Sequence, residues 1–308
     1  MNTRTLFVTA ILPLVGAVTA HAGVELHKEH TFAAAPGQRV VVKASFHEVD
    51  ITVASGNTVR VTVDLESKSS SNKVNNQINE LAPKFIEEGR DLIIRSTRKD
   101  TSWGGWPSKI KGRIAIVMPP DIDVAITASS GSISISGDLG GGAIDCNVSS
   151  GGLTVTGAAR VFDGNSSSGS IEIEVTRPFE TFAANASSGN ISLRGGATSA
   201  TANTSSGNIT LADLHGDARM NASSGNITAQ WNAIGTTGTV QADASSGDVT
   251  LVLPAGIRLA GQAKTSSGSI KSDFQGTFEA KRVTFDGGPG AVEIGVGTSS
   301  GNVKVMAY

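Results

Sequence analysis

Hydrophobic and polar residues alternate in short runs along most of the chain, and a recurring Ser-Ser-Gly triplet separates the runs. After each triplet comes one polar residue, and then apolar residues lie two and four positions beyond the glycine. The clearest pairs are Ile133 and Ile135, Leu153 and Val155, Ile171 and Ile173, Ile191 and Leu193, and Ile209 and Leu211. A second alternating run precedes each triplet. Alternation with a period of two is typical of strands with one buried face, so each unit predicts two short strands.

The glycine of the triplet recurs at nearly constant spacing. It occupies Gly131, Gly151, Gly169, Gly189, Gly207, Gly225, Gly247, Gly268 and Gly301, at intervals of 20, 18, 20, 18, 18, 22, 21 and 33 residues. Such a period indicates stacked repeats, because a lone pair of short strands cannot bury a core. The sequence therefore predicts an all-β fold, a β-solenoid (parallel β-helix) with rungs of about 18–22 residues stacked at roughly 4.8 Å. Each glycine is expected at a structural corner, where φ is positive or two backbones lie close together.

A row of amides is predicted four residues before the glycine. This position holds Asn147, Asn165, Asn185, Asn203 and Asn221, and Asp243 continues the row. Identical amides at rung spacing can hydrogen-bond along the axis of a stack. A structural ladder is the main interpretation, and a polar binding strip is the alternative.

The chain divides into three parts. Residues 1–22 have the features of a signal peptide: Arg4, an apolar run, and a cleavage motif that ends at Ala22. Residues 23–120 predict a less regular β-rich section that leads into the solenoid, with a short helix over Asn72–Leu81 and a hairpin around Gly89. Residues 121–308 predict the repeat solenoid and an aromatic C-terminal cap. Within the first section, Ala54–Asn57 resembles one early copy of the corner.

Composition narrows the class of function. The formal net charge is −2, without a basic stripe, which argues against nucleic acid as a partner. The single cysteine, Cys146, allows no internal disulfide, and its repeat position predicts a packed core thiol. No stretch after the signal peptide is long and apolar enough to span a membrane. We expect an exported protein, periplasmic or extracellular.

Candidate chemistry is sparse. Glu25, His27, Glu29 and His30 could ligate a transition metal, but a solvated segment is the preferred interpretation, so no metal or other cofactor is predicted. Glu172, Glu174 and Arg194 should be neighbours on one face, as an ordinary ion pair or as a weak acid-and-base site. No catalytic residue is assigned.

The most conspicuous loop is the Gly-rich segment that carries Trp103 and Trp106. Indole rings supply large contact areas for a sugar ring or a protein surface, so these two residues are the candidate ligand-binding site. The alternative is that they form a lid over the end of the hydrophobic column.

The repeated Ser-Ser-Gly-Asn-Ile-Thr/Ser-Leu units, preceded by Ile116–Val124, resemble a bacterial domain-of-unknown-function family of β-strand repeats labelled putative adhesins. The resemblance covers roughly Val40 to Val305. It implies a β-helical solenoid in an envelope-associated protein and supplies no catalytic residues. The leading hypothesis is thus a non-enzymatic envelope or surface protein that binds a cell-surface glycan or an envelope protein. The rival is a polysaccharide-active enzyme on the same scaffold. An acid-and-base cluster in one groove would favour the enzyme, and rows of Ser, Thr and Asn would favour binding.

Overall fold

The computed structural model describes residues 24–69, 71–96 and 110–308. The N-terminal section contains these elements: β1 (Val24–Ala33), β2 (Arg39–Ala44), β3 (Glu48–Val53), β4 (Thr58–Ser67), α1 (Asn72–Leu81), β5 (Lys84–Glu88), β6 (Asp91–Arg95) and β7 (Ile110–Met118). The predicted helix over Asn72–Leu81 is confirmed. Ser71 caps it, since the Ser71 hydroxyl accepts a hydrogen bond from the Val74 backbone N–H at 3.4 Å. The hairpin around Gly89 is confirmed as β5 and β6, which pair antiparallel.

The repeat section is built from paired strands. They are β8 (Asp123–Ser130), β9 (Ile133–Asp138), β10 (Ala143–Ser150), β11 (Leu153–Ala158), β12 (Val161–Ser168), β13 (Ile171–Val175), β14 (Phe179–Ser188), β15 (Ile191–Arg194), β16 (Ala197–Ser206), β17 (Ile209–Leu214), β18 (Asp217–Ser224), β19 (Ile227–Trp231), β20 (Thr239–Ser246) and β21 (Val249–Leu253). The C-terminal part adds β22 (Leu259–Ser267), β23 (Ile270–Ser272), β24 (Thr277–Glu279), β25 (Arg282–Asp286), β26 (Val292–Ser300) and β27 (Val303–Ala307).

The described strands form two long sheets, as the repeat predicts. The strand before each Ser-Ser-Gly lies in one sheet, called here the pre-corner sheet, with the order β24-β25-β22-β26-β20-β18-β16-β14-β12-β10-β8-β2-β6-β5. The strand after each triplet lies in the post-corner sheet, with the order β1-β4-β7-β3-β9-β11-β13-β15-β17-β19-β21-β27-β23. Neighbouring repeat strands are parallel and in register, so each pair of strands forms one rung of a β-solenoid.

The hydrophobic core lies between the two sheets. Ile209 pairs with Ile191 on one side and Ile227 on the other, and all three side chains are fully buried. Thr210, one residue further, is exposed. The predicted assignment of buried and exposed faces is therefore confirmed. Cys146 is also fully buried, in line with a packed core thiol.

The corner glycines lie in one column at the boundary between the sheets. A Cβ added to Gly225 would overlap the carbonyl oxygen of Gly207, and Gly207 has the same relation to Gly189. The φ angle of Gly225 is +144°, in a region that residues with a side chain rarely adopt. The Gly207 N–H donates to the Ser224 carbonyl of the next rung at 2.9 Å. Contact between successive backbones, together with positive φ at most copies, explains why the corner is glycine.

The column continues into the N-terminal section, but not at the expected place. Gly131 lies against the backbone of His47, which occupies the corner of the rung formed by β2 and β3. Gly56 lies instead between β3 and β4, and a Cβ there would contact nothing within 4 Å. The interpretation of Ala54–Asn57 as an early corner is therefore wrong: its sequence resembles the corner, but it turns the chain into the antiparallel strand β4.

At both ends of the stack, the rungs do not follow one another in the order of the sequence. At one end, the rung of β6 and β7 lies outside that of β2 and β3, and antiparallel strands and α1 cover it. At the other end, β26 and β27 lie between the rung of β20 and β21 and the rung of β22 and β23. The hairpin of β24 and β25 pairs antiparallel with β22 and covers the edge of the pre-corner sheet. Of the phenylalanines expected in the cap, Phe285 is buried and Phe278 is exposed.

Candidate ligand-binding groove

The predicted amide ladder runs along the outer face of the pre-corner sheet. The Asn165 side-chain amide donates to Asn147 Oδ1 at 3.1 Å, and Asn185 donates to Asn165 at 2.9 Å. Asn203 and Asn221 continue the chain of bonds at 2.9 and 2.8 Å. All the amides point the same way, because the parallel register repeats one geometry at every rung. Asn165 also donates to Asp163 Oδ1 at 3.3 Å. Each ladder bond uses one of the two amide protons, so Asn185 and Asn203 keep one N–H and one lone pair for another partner.

Serines line the ladder on the corner side. The first serine of each triplet lies two positions beyond the asparagine and is exposed, as at Ser187 and Ser205. Ladder and serines together form a groove of about 620 Å³. Its lining is Thr127, Asn147, Val148, Ser149, Asn165, Ser166, Ser167, Asn185, Ala186, Ser187, Asn203, Thr204, Ser205, Asn221 and Ser223. None of these residues is ionisable at neutral pH, so this part of the groove offers hydroxyls and amides only.

A second ladder runs along the corner itself, at the polar residue that follows each glycine. Asn190 Oδ1 accepts from the Asn208 backbone N–H at 2.8 Å, and Asn208 Oδ1 accepts from the Asn226 N–H at 2.9 Å. Asp248 takes the same role toward Asn302, at 2.7 Å. Sequence reasoning missed this ladder, although the polar residue after the glycine was visible. Its function is structural, since it satisfies backbone groups at the turn.

The groove extends toward the C-terminal end of the stack, where its character changes. This part has a volume of about 970 Å³, and its lining includes Asp243, Lys264, Glu279, Lys281 and Arg282. The amide row is interrupted here, because Gly297 stands between Asp243 and Lys264 in the register. A Cβ on Gly297 would lie 2.9 Å from Asp243 Oδ1 and 3.2 Å from Lys264 Cε. The side chains of Asp243 and Lys264 therefore approach each other above Gly297, because a glycine has no side chain to separate them.

Trp103 and Trp106, the candidate contact residues, lie outside the described residues. The described chain ends at Ser96 after β6 and resumes at Ile110 in β7. Gly112 of β7 lies against the side chains of Phe46 and His47. The assignment of the two tryptophans as a binding site stays a prediction.

The acidic pair considered for catalysis lies on the other face of the molecule. Glu174 and Arg194 are neighbours in register on the post-corner sheet, as expected. Among the described residues, their side chains do not form an ion pair within 4.0 Å. They do not line either part of the groove. The arrangement favours neither acid–base chemistry nor a structural bridge.

Two buried ionisable side chains have shifted pKa values. Burial lowers the pKa of His47 to about 4, and neither ring nitrogen has a hydrogen-bond partner in the described part of the chain. Burial raises the pKa of the Cys146 thiol, so the thiolate is not formed at neutral pH. Neither side chain lines the groove.

His27, in the N-terminal histidine segment, contacts two carboxylates. His27 Nδ1 lies 2.6 Å from Asp64 Oδ1, and His27 Nε2 lies 3.4 Å from Glu29 Oε1. Within residues 24–69, 71–96 and 110–308, no group of three or more His, Cys, Asp or Glu side chains is placed to hold a metal ion. Over the same ranges, no helix has the length and hydrophobicity needed to cross a membrane.

Several solved bacterial structures are similar to this chain at low sequence identity. A putative adhesin from Bacteroides fragilis is 11% identical, with 92% of this chain and 97% of that chain covered and a TM-score of 0.46. A putative adhesin from Parabacteroides distasonis is 14% identical, with coverages of 91% and 97% and a TM-score of 0.40. A putative lipid binding protein from the same species is 14% identical, with coverages of 90% and 96% and a TM-score of 0.42. Curated proteins yield no match.

A family model covers most of the chain. It matches residues 39–306, a range that begins with β2 and contains all nine corner glycines. The match thus spans the whole stack of parallel rungs. The chain belongs to the Toastrack DUF4097 family.

Proposed function

We propose that this is an exported, non-enzymatic protein of the cell envelope or cell surface that binds a linear glycan along the pre-corner groove. The observation that carries the proposal is the continuous row of amides and hydroxyls from Asn147 to Ser223. Hydroxyl-rich polymers present alternating donors and acceptors, and Asn185 and Asn203 keep one of each. The regular rung spacing, roughly 4.8 Å, suits a ligand that is itself a linear repeat.

The lining of the groove favours a glycan over a protein partner. Protein interfaces usually concentrate their binding energy in buried aromatic or arginine anchors. In the described part of the chain, the large exposed hydrophobic residues are Val117, Phe278 and Tyr308, and none of them lines the groove. An envelope protein is therefore the alternative ligand. It would replace the glycan if the experiments below show binding to such a protein only.

The neutral lining also supports a non-enzymatic role. Glycoside hydrolysis commonly uses two carboxyl groups that flank the scissile bond. The part of the groove between Asn147 and Ser223 has no carboxylate in its lining. Asp243 and Glu279 line only the C-terminal part, beside three cationic side chains.

A glycan and cell-wall-fragment array, read with the full mature chain, tests the proposal. We expect binding to one or more linear polysaccharides, and no release of reducing ends from those that bind. Binding accompanied by reducing-end release would replace the proposal with the polysaccharide-active enzyme. Binding only to envelope proteins would replace the glycan as ligand.

Export is tested separately by intact-mass measurement of the protein produced in a bacterial host. The sequence predicts cleavage after Ala22, so Gly23 should be the first residue. A mature protein that retains Met1 would contradict export by this signal.

A further inference from the structure

A depression borders the C-terminal part of the groove on the outer face of the pre-corner sheet. Strand β26 presents Gly295 and Gly297 outward, where neighbouring rungs carry side chains. Gln241 and Asp243 of β20 border these glycines on one side, and Gln262 and Lys264 of β22 border them on the other. A Cβ on Gly295 would contact nothing within 4 Å. Asp243 and Lys264 cover Gly297, which is buried, so the open space of the depression lies at Gly295, between Gln241 and Gln262.

Cationic side chains stand at the outer wall. Lys264 is directly opposite Arg282 in the antiparallel pairing of β22 and β25. Like charges in this arrangement destabilise a sheet unless something neutralises them. Glu279 faces Arg282 from β24, and Asp243 approaches Lys264 over Gly297. Among the described residues, however, neither carboxylate forms an ion pair within 4.0 Å with Lys264 or Arg282. Lys281 is committed to the fold, since its Nζ donates to the Gly268 carbonyl at the open end of the corner column.

We infer that this depression binds a carboxylate-bearing sugar unit of the glycan in the groove, with Lys264 and Arg282 holding the carboxylate. The inference rests on the proposed function and names its substrate class as an acidic polysaccharide. Asp243 and Gln262 hydrogen-bond the hydroxyls of the same unit. Gln241 Oε1 accepts from Arg219 at 2.7 Å, so Gln241 offers the unit its amide N–H groups. The arginine fork can bind a carboxylate through two parallel hydrogen bonds, which fixes the orientation of the sugar.

The charge balance favours a carboxylate over a phosphate. The lining of this part of the groove carries the three cations Lys264, Lys281 and Arg282 and the two carboxylates Asp243 and Glu279. Beside the depression, the exposed Glu293 and the Arg219 that binds Gln241 add one charge of each sign. The cations attract a singly charged carboxylate. The wall carboxylates repel it less than they would repel a doubly charged phosphate. The bound sugar unit thus carries one carboxylate and, beside it, hydroxyl groups.

The probes for the test are polygalacturonate and its fully methyl-esterified, neutral form. We expect the wild-type chain to bind polygalacturonate about tenfold more tightly, because one charge-assisted contact contributes roughly this factor. The preference should weaken as salt is raised. The double variant Lys264→Gln/Arg282→Gln should lose the preference and keep binding to the ester.

Two matched controls keep the test specific. Lys271→Gln/Lys304→Gln removes the same charge from a cross-strand cationic pair on the post-corner sheet, at the same end of the stack, and should leave the preference unchanged. Gly295→Thr fills the depression without a clash and should weaken polygalacturonate binding, whereas Gly56→Thr, at another open glycine, should not.

The outcomes separate this inference from the proposed function. Loss of the preference in both double variants, or in neither, would overturn the depression as the acidic subsite while glycan binding stands. Equal affinity of the wild-type chain for the two polymers would overturn the acidic specificity alone. Absence of binding to both these polymers and every glycan of the array would overturn the inference and the proposed function together.

Discussion

The corner of Gly301 lies between the corners of Gly247 and Gly268, so the last rung in the sequence is not the last rung in the stack. A Cβ on Gly301 would overlap the Gly247 carbonyl oxygen, and a Cβ on Gly268 would overlap that of Gly301. The chain therefore builds its outermost rung first, forms the hairpin of β24 and β25, and then returns to insert β26 and β27. This insertion creates the depression at Gly295. It also places Lys264 and Arg282 two residues further along, in register with Gly297.

Corner glycines should be far less replaceable than an open glycine within the pre-corner sheet. We expect Gly225→Ala to destabilise the protein by about 3 kcal/mol, because its Cβ overlaps the Gly207 carbonyl and its φ is +144°. Gly295→Ala should change stability by less than about 0.5 kcal/mol, as for surface changes. Chemical denaturation of both variants measures the difference. Similar losses would contradict the stacking of backbones at the corner.

The buried and exposed faces of one strand can be separated by two adjacent substitutions. Ile209→Asp places a carboxylate in the column between Ile191 and Ile227, and we expect a loss of about 4 kcal/mol or more. Thr210→Asp puts the same group on the exposed face and should be nearly silent. Thermal unfolding of the two variants decides the matter, and equal effects would show that the register is shifted by one residue.

His47 should make the protein less stable in mild acid. Its pKa is about 4 in the fold, against 6.5 in the unfolded chain, so the unfolded state binds the proton first as the pH falls. Stability should decline between pH 6.5 and 4, by up to about 3 kcal/mol from this group. His47→Leu should remove this decline, as followed by denaturation across the pH range.

The exposed His27 should have the opposite effect on the pH dependence of stability. Its hydrogen bond with Asp64 raises its pKa, so its small contribution is present at low pH and is lost as the pH rises through that raised pKa. His27→Gln should leave the acid-side decline in place. A decline that persists unchanged in His47→Leu would contradict the assignment to His47.

Trp103 and Trp106 remain the sequence-based candidates for a second contact site. If they contact the ligand, Trp103→Ala/Trp106→Ala should abolish binding and change stability by less than about 1 kcal/mol. If they form a lid, the same variant should lose several kcal/mol, on the order of a large-to-small core change. Fluorescence distinguishes the two cases in a Trp231→Phe background, because Trp231 is fully buried and its Nε1 donates to the Gly216 carbonyl at 2.8 Å. Quencher-resistant emission there would rule out the contact site.

The repeat made much of the fold predictable. Two-residue alternation defined the core positions such as Ile209, the constant spacing defined the rungs, and the asparagine row at Asn165 and Asn185 predicted its own ladder. The resemblance to a β-strand-repeat family is confirmed by the family match. These features are local or strictly periodic, so one repeat determines the next.

The ends of the stack were not predictable in the same way. The insertion of β26 between β20 and β22 depends on pairing between distant segments, and the repeat register is equally compatible with stacking in chain order. For the same reason Lys264, Gly297 and Asp243 could not be recognised as neighbours from the sequence. His47 was missed at the corner because its contact with Gly131 joins the first periodic corner to a segment outside the periodic region.

The central claim, that the pre-corner face binds the ligand, is tested most directly by two double variants in the same two rungs. Asn185→Leu/Asn203→Leu removes adjacent members of the amide ladder, and Ser192→Leu/Thr210→Leu makes the matched change at neighbouring positions on the post-corner sheet. Titration with the glycan found by the array should show at least tenfold weaker binding for the first variant, since it loses two sets of hydrogen-bonding groups. The second variant should bind as the wild type does. Equal binding by both variants, or loss only in the second, would contradict the groove as the binding site.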